Sequence, residues 1–454
     1  METNTPRERH FVESAARERL AGGWYWAREH LPGFRRRLPL DQYPSGQRGG
    51  DTLTNAALSA TGRLVIPIMA FSLRRFARFW RPIAVTALIL GLLLASSTWI
   101  HLEIPTLTGD HSVGRQNFVW TDPLRPEPRT GDLADHRQIG LVVWYPAESG
   151  TGSPAPYVPD LDAIKSGLIA SGEFNSMEVL GLGWVRSHSF ADAAVDSSTD
   201  RYPLLVLSPG NATNVEFYGS LAEDLASNGY VVIGLNHPFQ VTAMSLTDGS
   251  VAVYDTAAGA GPVAAKIAER VADVEFVLNR LGQEVSARTF LDGRVDLSRV
   301  GVLGHSNGGL TAAEVCRAST AVSACMNIDG QAASGPFGTA PEPEPVGRPF
   351  MYLTKEAEIH PALAVTFEQS GAGTFRVVVP AATHDQFADG PLFQPGLWPL
   401  DRTADRVQTV TRGFARAFFG EFLAGRASSQ PLPIVDAPTD VYLYGYPLGI
   451  NQPQ

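Results

Sequence analysis

The chain has 454 residues, 44% of them hydrophobic and 18% charged, a balance that excludes wholesale disorder. A formal net charge of −10 argues against nucleic acid as a partner. The 2 cysteines are too few for a disulfide scaffold or a four-ligand zinc site.

Residues 1–63 read as a polar tail, either disordered or an over-long gene model, with a short helix over 13–20 and a linker, "YPSGQRGGDT". Residues 64–104 change character. Arg74, Arg75, Arg78 and Arg81 precede an uncharged stretch from Pro82 to Ile100. Its 19 residues at ~1.5 Å each reach about 28 Å, close to a bilayer core. The expectation is one transmembrane signal-anchor, with the arginines cytoplasmic and the C-terminal part exported. A cleaved signal is the rival, with Ala95-Ser96-Ser97 as the small-residue site. A buried core helix is the bland alternative, and Met69 is an alternative start.

From residue 105 onward strands alternate with helices. Strands are predicted over 138–146, 202–210, 230–237, 299–306, 321–329, 348–355 and 374–384. Helices are predicted over 216–229, 263–282, from Ser306 to about Ser319, and over 406–425. Repeated βα units imply an α/β fold, a mostly parallel central sheet with helices on both faces, carrying its ligands at the carboxyl ends of the strands.

One such end is "VGVLGHSNGG" (300–309). Gly304-His305-Ser306-Asn307-Gly308 fits G-x-S-x-G between a strand and a helix, a nucleophile elbow that lifts the Ser306 hydroxyl above the sheet. A serine nucleophile needs a base oriented by an acid, in the chain order Ser, acid, His. The histidines after Ser306 are His360, in a polar segment, and His384, which follows a strand. His384 is the candidate base; the bland alternative is a loop histidine. Asp329 ends the strand "SACMNID" and is the candidate acid, or else a loop-capping aspartate. Asp385 and Asp389 lie too near His384 in sequence to approach its ring from the far side. The backbone N–H groups of Asn211 and Asn307 are candidate oxyanion donors, unless 209–211 is an ordinary turn. Cys316 and Cys325 are a possible disulfide between the end of the helix after Ser306 and the start of the next strand, or else two buried thiols. The stretch 238–259 either overhangs the site or is loop packing.

These residues resemble the platelet-activating factor acetylhydrolases of the plasma, or type II, class and their bacterial relatives, a branch of the α/β-hydrolases. The likeness runs from about Val113 to Gly420: "WYPA", "LLVLSPGNATNVEFYGSLAEDLASNGYVVIGLNHP", "GHSNGG", "NIDG" and "THDQFAD" resemble the opening strand, the oxyanion strand and first helix, and the nucleophile, acid and base motifs. Two positions depart from the pattern: Pro209-Gly210 stands where many members carry His-Gly, and Asn307 where a bulkier residue is common. The resemblance implies an α/β-hydrolase fold and a serine esterase that cleaves short acyl groups from phospholipid-like esters, needing no metal or other cofactor. A general carboxylesterase or polyester hydrolase, an acyltransferase using the same acyl-enzyme, and a non-catalytic membrane-tethered interaction protein are the alternatives. The filled triad positions disfavour the last. The expected partners are a small-molecule or lipid ester and the membrane, not nucleic acid.

Overall fold

The computed structural model describes residues 80, 82–91, 103–132, 134–170, 179–256, 262–330, 345–355, 373–393, 402–425, 441–446 and 451–453. The chain divides into two compact units, Met1–Ile100 and His101–Gln454. In the first, residues 80 and 82–91 are helical with exposed side chains. The rest of the expected anchor lies outside the described residues. Among the described residues no helix is long and apolar enough to cross a membrane.

The second unit is built on a sheet of twelve strands among the described residues. Its core is six parallel strands: β12 (Thr374–Val378), β11 (Phe350–Thr354), β10 (Ala324–Ile328), β9 (Val295–His305), β5 (Tyr202–Ser208) and β6 (Val231–Asn236), side by side in that order. Further strands extend both sides, most of them through antiparallel pairings. β2 (His136–Ala147) pairs with β6, then come β1 (Ser112–Pro126), β4 (Arg186–Ala191) and β3 (Ser153–Pro156). On the far side β13 (Tyr442–Tyr446) and β14 (Asn451–Pro453) follow β12. A short hairpin, β7 (Ala243–Ser245) with β8 (Val251–Val253), stands apart.

The central strands are rich in apolar residues because both faces are covered. In β5, Leu204 and Val206 face one hydrophobic cluster and Leu205 and Leu207 the other. The first cluster takes Val274, Val277 and Leu281 of α3 (Val263–Ser286) and Ala312 and Val315 of α4 (Asn307–Ala318). The second takes Leu221 and Leu225 of α2 (Gly219–Ser227) and Phe414, Phe418 and Phe419 of α5 (Arg402–Phe422). Each such side chain contributes roughly 1.5–3 kcal/mol. The remaining helix, α1 (Leu161–Ala170), lies near β7.

Two expectations are corrected. The strand predicted over 374–384 ends at Val378, because Pro380 has no N–H to donate and Ala381 turns at φ 62°. His384 therefore sits not on a strand but at the start of a single 3₁₀ turn, His384–Phe387, capped by Thr383 and Gln386. The strands β1, β3, β4, β7, β8, β13 and β14 lie outside the strands predicted from the sequence. Cys316 and Cys325 are joined in a disulfide, Cα atoms 6.1 Å apart.

Candidate active site

β9 lies between β5 and β10, at the middle of the parallel block, and its last residue precedes Ser306. Ser306 has φ 56° and ψ −120°, a conformation that costs a side-chain-bearing residue about 1–3 kcal/mol. Two backbone bonds hold it: Ser306 N–H donates to Ile328 O at 2.9 Å, and Ser306 O accepts from Leu310 N–H at 3.1 Å. The flanking glycines are required by close approach. A Cβ on Gly304 would lie 2.4 Å from the Gly308 carbonyl, and one on Gly308 would lie 1.9 Å from Ser208 O. The elbow and the end of β5 are thus pressed together backbone to backbone.

Asp329 follows β10 with φ 47° and is 2% exposed. Its Oδ1 accepts from Thr354 Oγ1 at 2.9 Å and from Lys355 N–H at 3.3 Å. Its Oδ2 accepts from Nδ1 of His384 at 2.6 Å. Holding the proton on Nδ1 leaves Nε2 of His384 as the basic nitrogen. The His384 side chain is 39% exposed. The structure therefore brings Asp329 and His384 together, beside Ser306. Among the described residues no hydrogen bond joins Ser306 to His384. Instead the His384 ring lies against that of His305, centroids 4.4 Å apart and planes at 40°.

Asp389, the other aspartate of the base motif, is directed elsewhere. It is buried and accepts from Tyr157 OH at 2.8 Å, from Ser220 N–H at 2.9 Å and from the Ser220 hydroxyl. Burial pushes its carboxyl up to about 6. Burial raises Asp385 as well. His360, the rival base, lies outside the described residues.

Asn307 opens α4 and Asn211 sits in the turn after β5. Their side chains meet, Asn307 Nδ2 donating to Asn211 Oδ1 at 3.4 Å. Asn211 Nδ2 in turn donates to Tyr254 OH at 2.7 Å. Tyr254 belongs to the 238–259 stretch, so that stretch does reach the site. Among the described residues neither the Asn211 nor the Asn307 N–H has a protein acceptor.

His305 and Tyr218 were not singled out from the sequence. Tyr218 OH bonds to Nδ1 of His305 at 2.8 Å and accepts from Gly210 N–H at 3.0 Å, tying the elbow to the turn after β5. Burial holds the His305 imidazole well below its ordinary value, hence neutral. Their signal is only their place: one precedes the nucleophile, the other directly precedes α2. His305, Asp329 and His384 hold ligand atoms within 4.8 Å of one another, close enough for a metal ion. The Asp329–His384 bond already uses one ligand atom of each.

The chain is similar to known proteins. Residues 96–249 match the family described as platelet-activating factor acetylhydrolase, isoform II. That match takes in the turn after β5 and stops before Ser306. A probable 1-alkyl-2-acetylglycerophosphocholine esterase of Arthroderma benhamiae is 30% identical over 139 residues, 30% of this chain and 33% of that protein. The chain thus spans about a third of the length of this curated relative. A solved structure, ferulic acid esterase from Streptomyces cinnamoneus, superposes with a TM-score of 0.60 at 27% identity, over 74% of this chain and 96% of that one. Both proteins are named as esterases.

Proposed function

We propose that this chain, a relative of the isoform II platelet-activating factor acetylhydrolases, is a serine hydrolase of carboxylic esters. The observation that carries the reading is the 2.6 Å Asp329–His384 bond beside a serine at φ 56°. Ser306 Oγ attacks the ester carbonyl while Nε2 of His384 takes its proton, and Asp329 orients the ring and stabilises the imidazolium. The Asn211 and Asn307 N–H groups receive the oxyanion. His384 returns the proton to the departing alcohol, and water attacks the acyl-enzyme by the same route. The missing Ser306–His384 bond is one that tightens when substrate binds.

A fluorophosphonate should label wild type but not Ser306→Ala, and wild type should hydrolyse p-nitrophenyl acetate. Loss of Ser306 or His384 should lower kcat by about 10⁴-fold or more, and loss of Asp329 by less. Full activity in His384→Ala would return the base to His360.

For substrate, the curated relative's name supports an acetyl ester of a glycerophosphocholine, and the ferulic acid esterase supports an aryl-acid ester. Rates on the two substrates decide between them. For location, the reading is an anchor over residues 82–100 with the second unit outside the cytoplasm. The four preceding arginines and the Cys316–Cys325 disulfide support it. Alkaline phosphatase fused after residue 110 should be active in a bacterial host, and an inactive fusion would overturn the orientation.

A further inference from the structure

The turn from Pro209 to Ala212 has an unusual hydrogen-bond account. Pro209 O accepts from Arg270 Nη1 at 2.5 Å, and Gly210 O from Arg270 Nη2 at 3.3 Å. Gly210 N–H donates to Tyr218 OH. Asn211 O accepts from Thr213 Oγ1 at 3.2 Å. Ala212 N–H donates to Gln240 O at 2.9 Å, and Ala212 O accepts from Thr242 Oγ1 at 2.7 Å. Among the described residues, the one backbone polar group of the turn left without a protein partner is the Asn211 N–H.

Arg270 is fully buried in α3, and Nε donates to Gln240 Oε1 at 2.8 Å, which fixes the plane of the guanidinium. One turn further along α3, Asp273 accepts from Nδ1 of His237 at 2.8 Å, and Nε2 of His237 lies 3.0 Å from Ser208 Oγ. Ser208, His237 and Asp273 repeat the serine–histidine–aspartate order, but all three are 0% exposed. No ester reaches that serine. Arg270 thus grips Pro209 and Gly210 directly, and Asp273, one helical turn on, reaches Ser208 only through His237.

We propose that Arg270 is a positioning residue for the oxyanion donor: by holding the Pro209 and Gly210 carbonyls it aims the Asn211 N–H at the developing oxyanion. This rests on the serine-hydrolase reading. A charge buried against two neutral carbonyls is a costly way to close a turn. A planar fork with several donors holds two adjacent carbonyls where one ammonium would hold one.

The test uses the full chain, with active sites counted by fluorophosphonate titration. Arg270→Met should lower kcat on p-nitrophenyl acetate by about 10²-fold, with KM within about threefold. Fluorophosphonate labelling should slow in parallel, since it develops charge in the same place. Arg270→Lys should recover part of the loss. A folded Arg270→Met with wild-type kcat, or one with a raised KM and unchanged kcat, overturns the proposal. If neither variant folds, Gln240→Met, which removes the acceptor that aims the guanidinium, carries the test: a lowered kcat at constant KM supports the proposal and an unchanged kcat overturns it. Wild type that neither hydrolyses the ester nor takes the label sinks the serine-hydrolase reading instead.

Discussion

Ser306 shows what a single residue costs its fold. Its backbone occupies a region that glycine enters freely and alanine does not. Ser306→Gly should therefore melt above Ser306→Ala, by about 1 kcal/mol in stability, although both are inactive. Equal melting points would show that the turn is unstrained. Asp389 makes the complementary case. Its carboxyl sits at about 6 rather than 3.8, because burial disfavours the charge. The folded value lies above the unfolded one, so its contribution is complete below pH 3.8 and is lost as pH rises through about 6. His237 works in the opposite sense. Burial lowers it from 6.5 to about 4, so its contribution is present above 6.5 and is lost as pH falls through about 4. Wild-type stability curves would mix the two. The difference in melting temperature between Asp389→Asn and wild type should shift in the variant's favour from pH 4 to pH 7; a pH-independent difference would reject the raised carboxyl. Ser306, Asp329 and His384 are legible in the sequence because each follows a strand or opens a motif. Tyr218, Gln240 and Arg270 are not, because their importance lies in contacts 8 to 87 residues away.

At the scale of elements, the disulfide joins the last turn of α4 to the second residue of β10, across 9 residues. Closing so short a loop removes unfolded-state freedom equivalent to roughly 2–3 kcal/mol. Both cysteines lie at the ends of α4 and β10 remote from Ser306 and Asp329. Replacing both by serine should lower the melting temperature by several degrees and leave kcat within about twofold. A collapse of kcat at a temperature where the variant is folded would mean that the bond shapes the elbow. The parallel strands are legible because burial on both faces makes them rich in apolar residues. The flanking strands are not: Arg186–Ala191 reads "RSHSFA", and only its pairing with β1 and β3 makes it a strand. α3 is legible as a helix through Ile267, Val274, Val277 and Leu281, yet Lys266, Arg270 and Asp273 are buried with them. Charges on an apolar helical face were the overlooked sign that this helix holds something polar.

At the scale of the whole molecule, the proposed esterase makes a prediction about acyl length. If the acetyl-ester reading holds, turnover should fall steeply from p-nitrophenyl acetate or butyrate to the palmitate ester. Equal or faster palmitate turnover would point to a lipase-like pocket and leave the serine mechanism standing. The molecule also gathers a serine, a histidine and an aspartate twice, once at Ser306 with His384 and Asp329 and once, sealed, at Ser208 with His237 and Asp273. Among the described residues only the sealed set has its serine–histidine bond, so it is a route for the reagent, not hydrogen bonding, that decides which serine reacts. Saturating phosphonate should therefore end at one adduct per chain, on the peptide bearing Ser306, with the Ser208 peptide recovered at its unmodified mass. Only unfolding should open the second serine, and by then neither histidine has an aspartate to orient it.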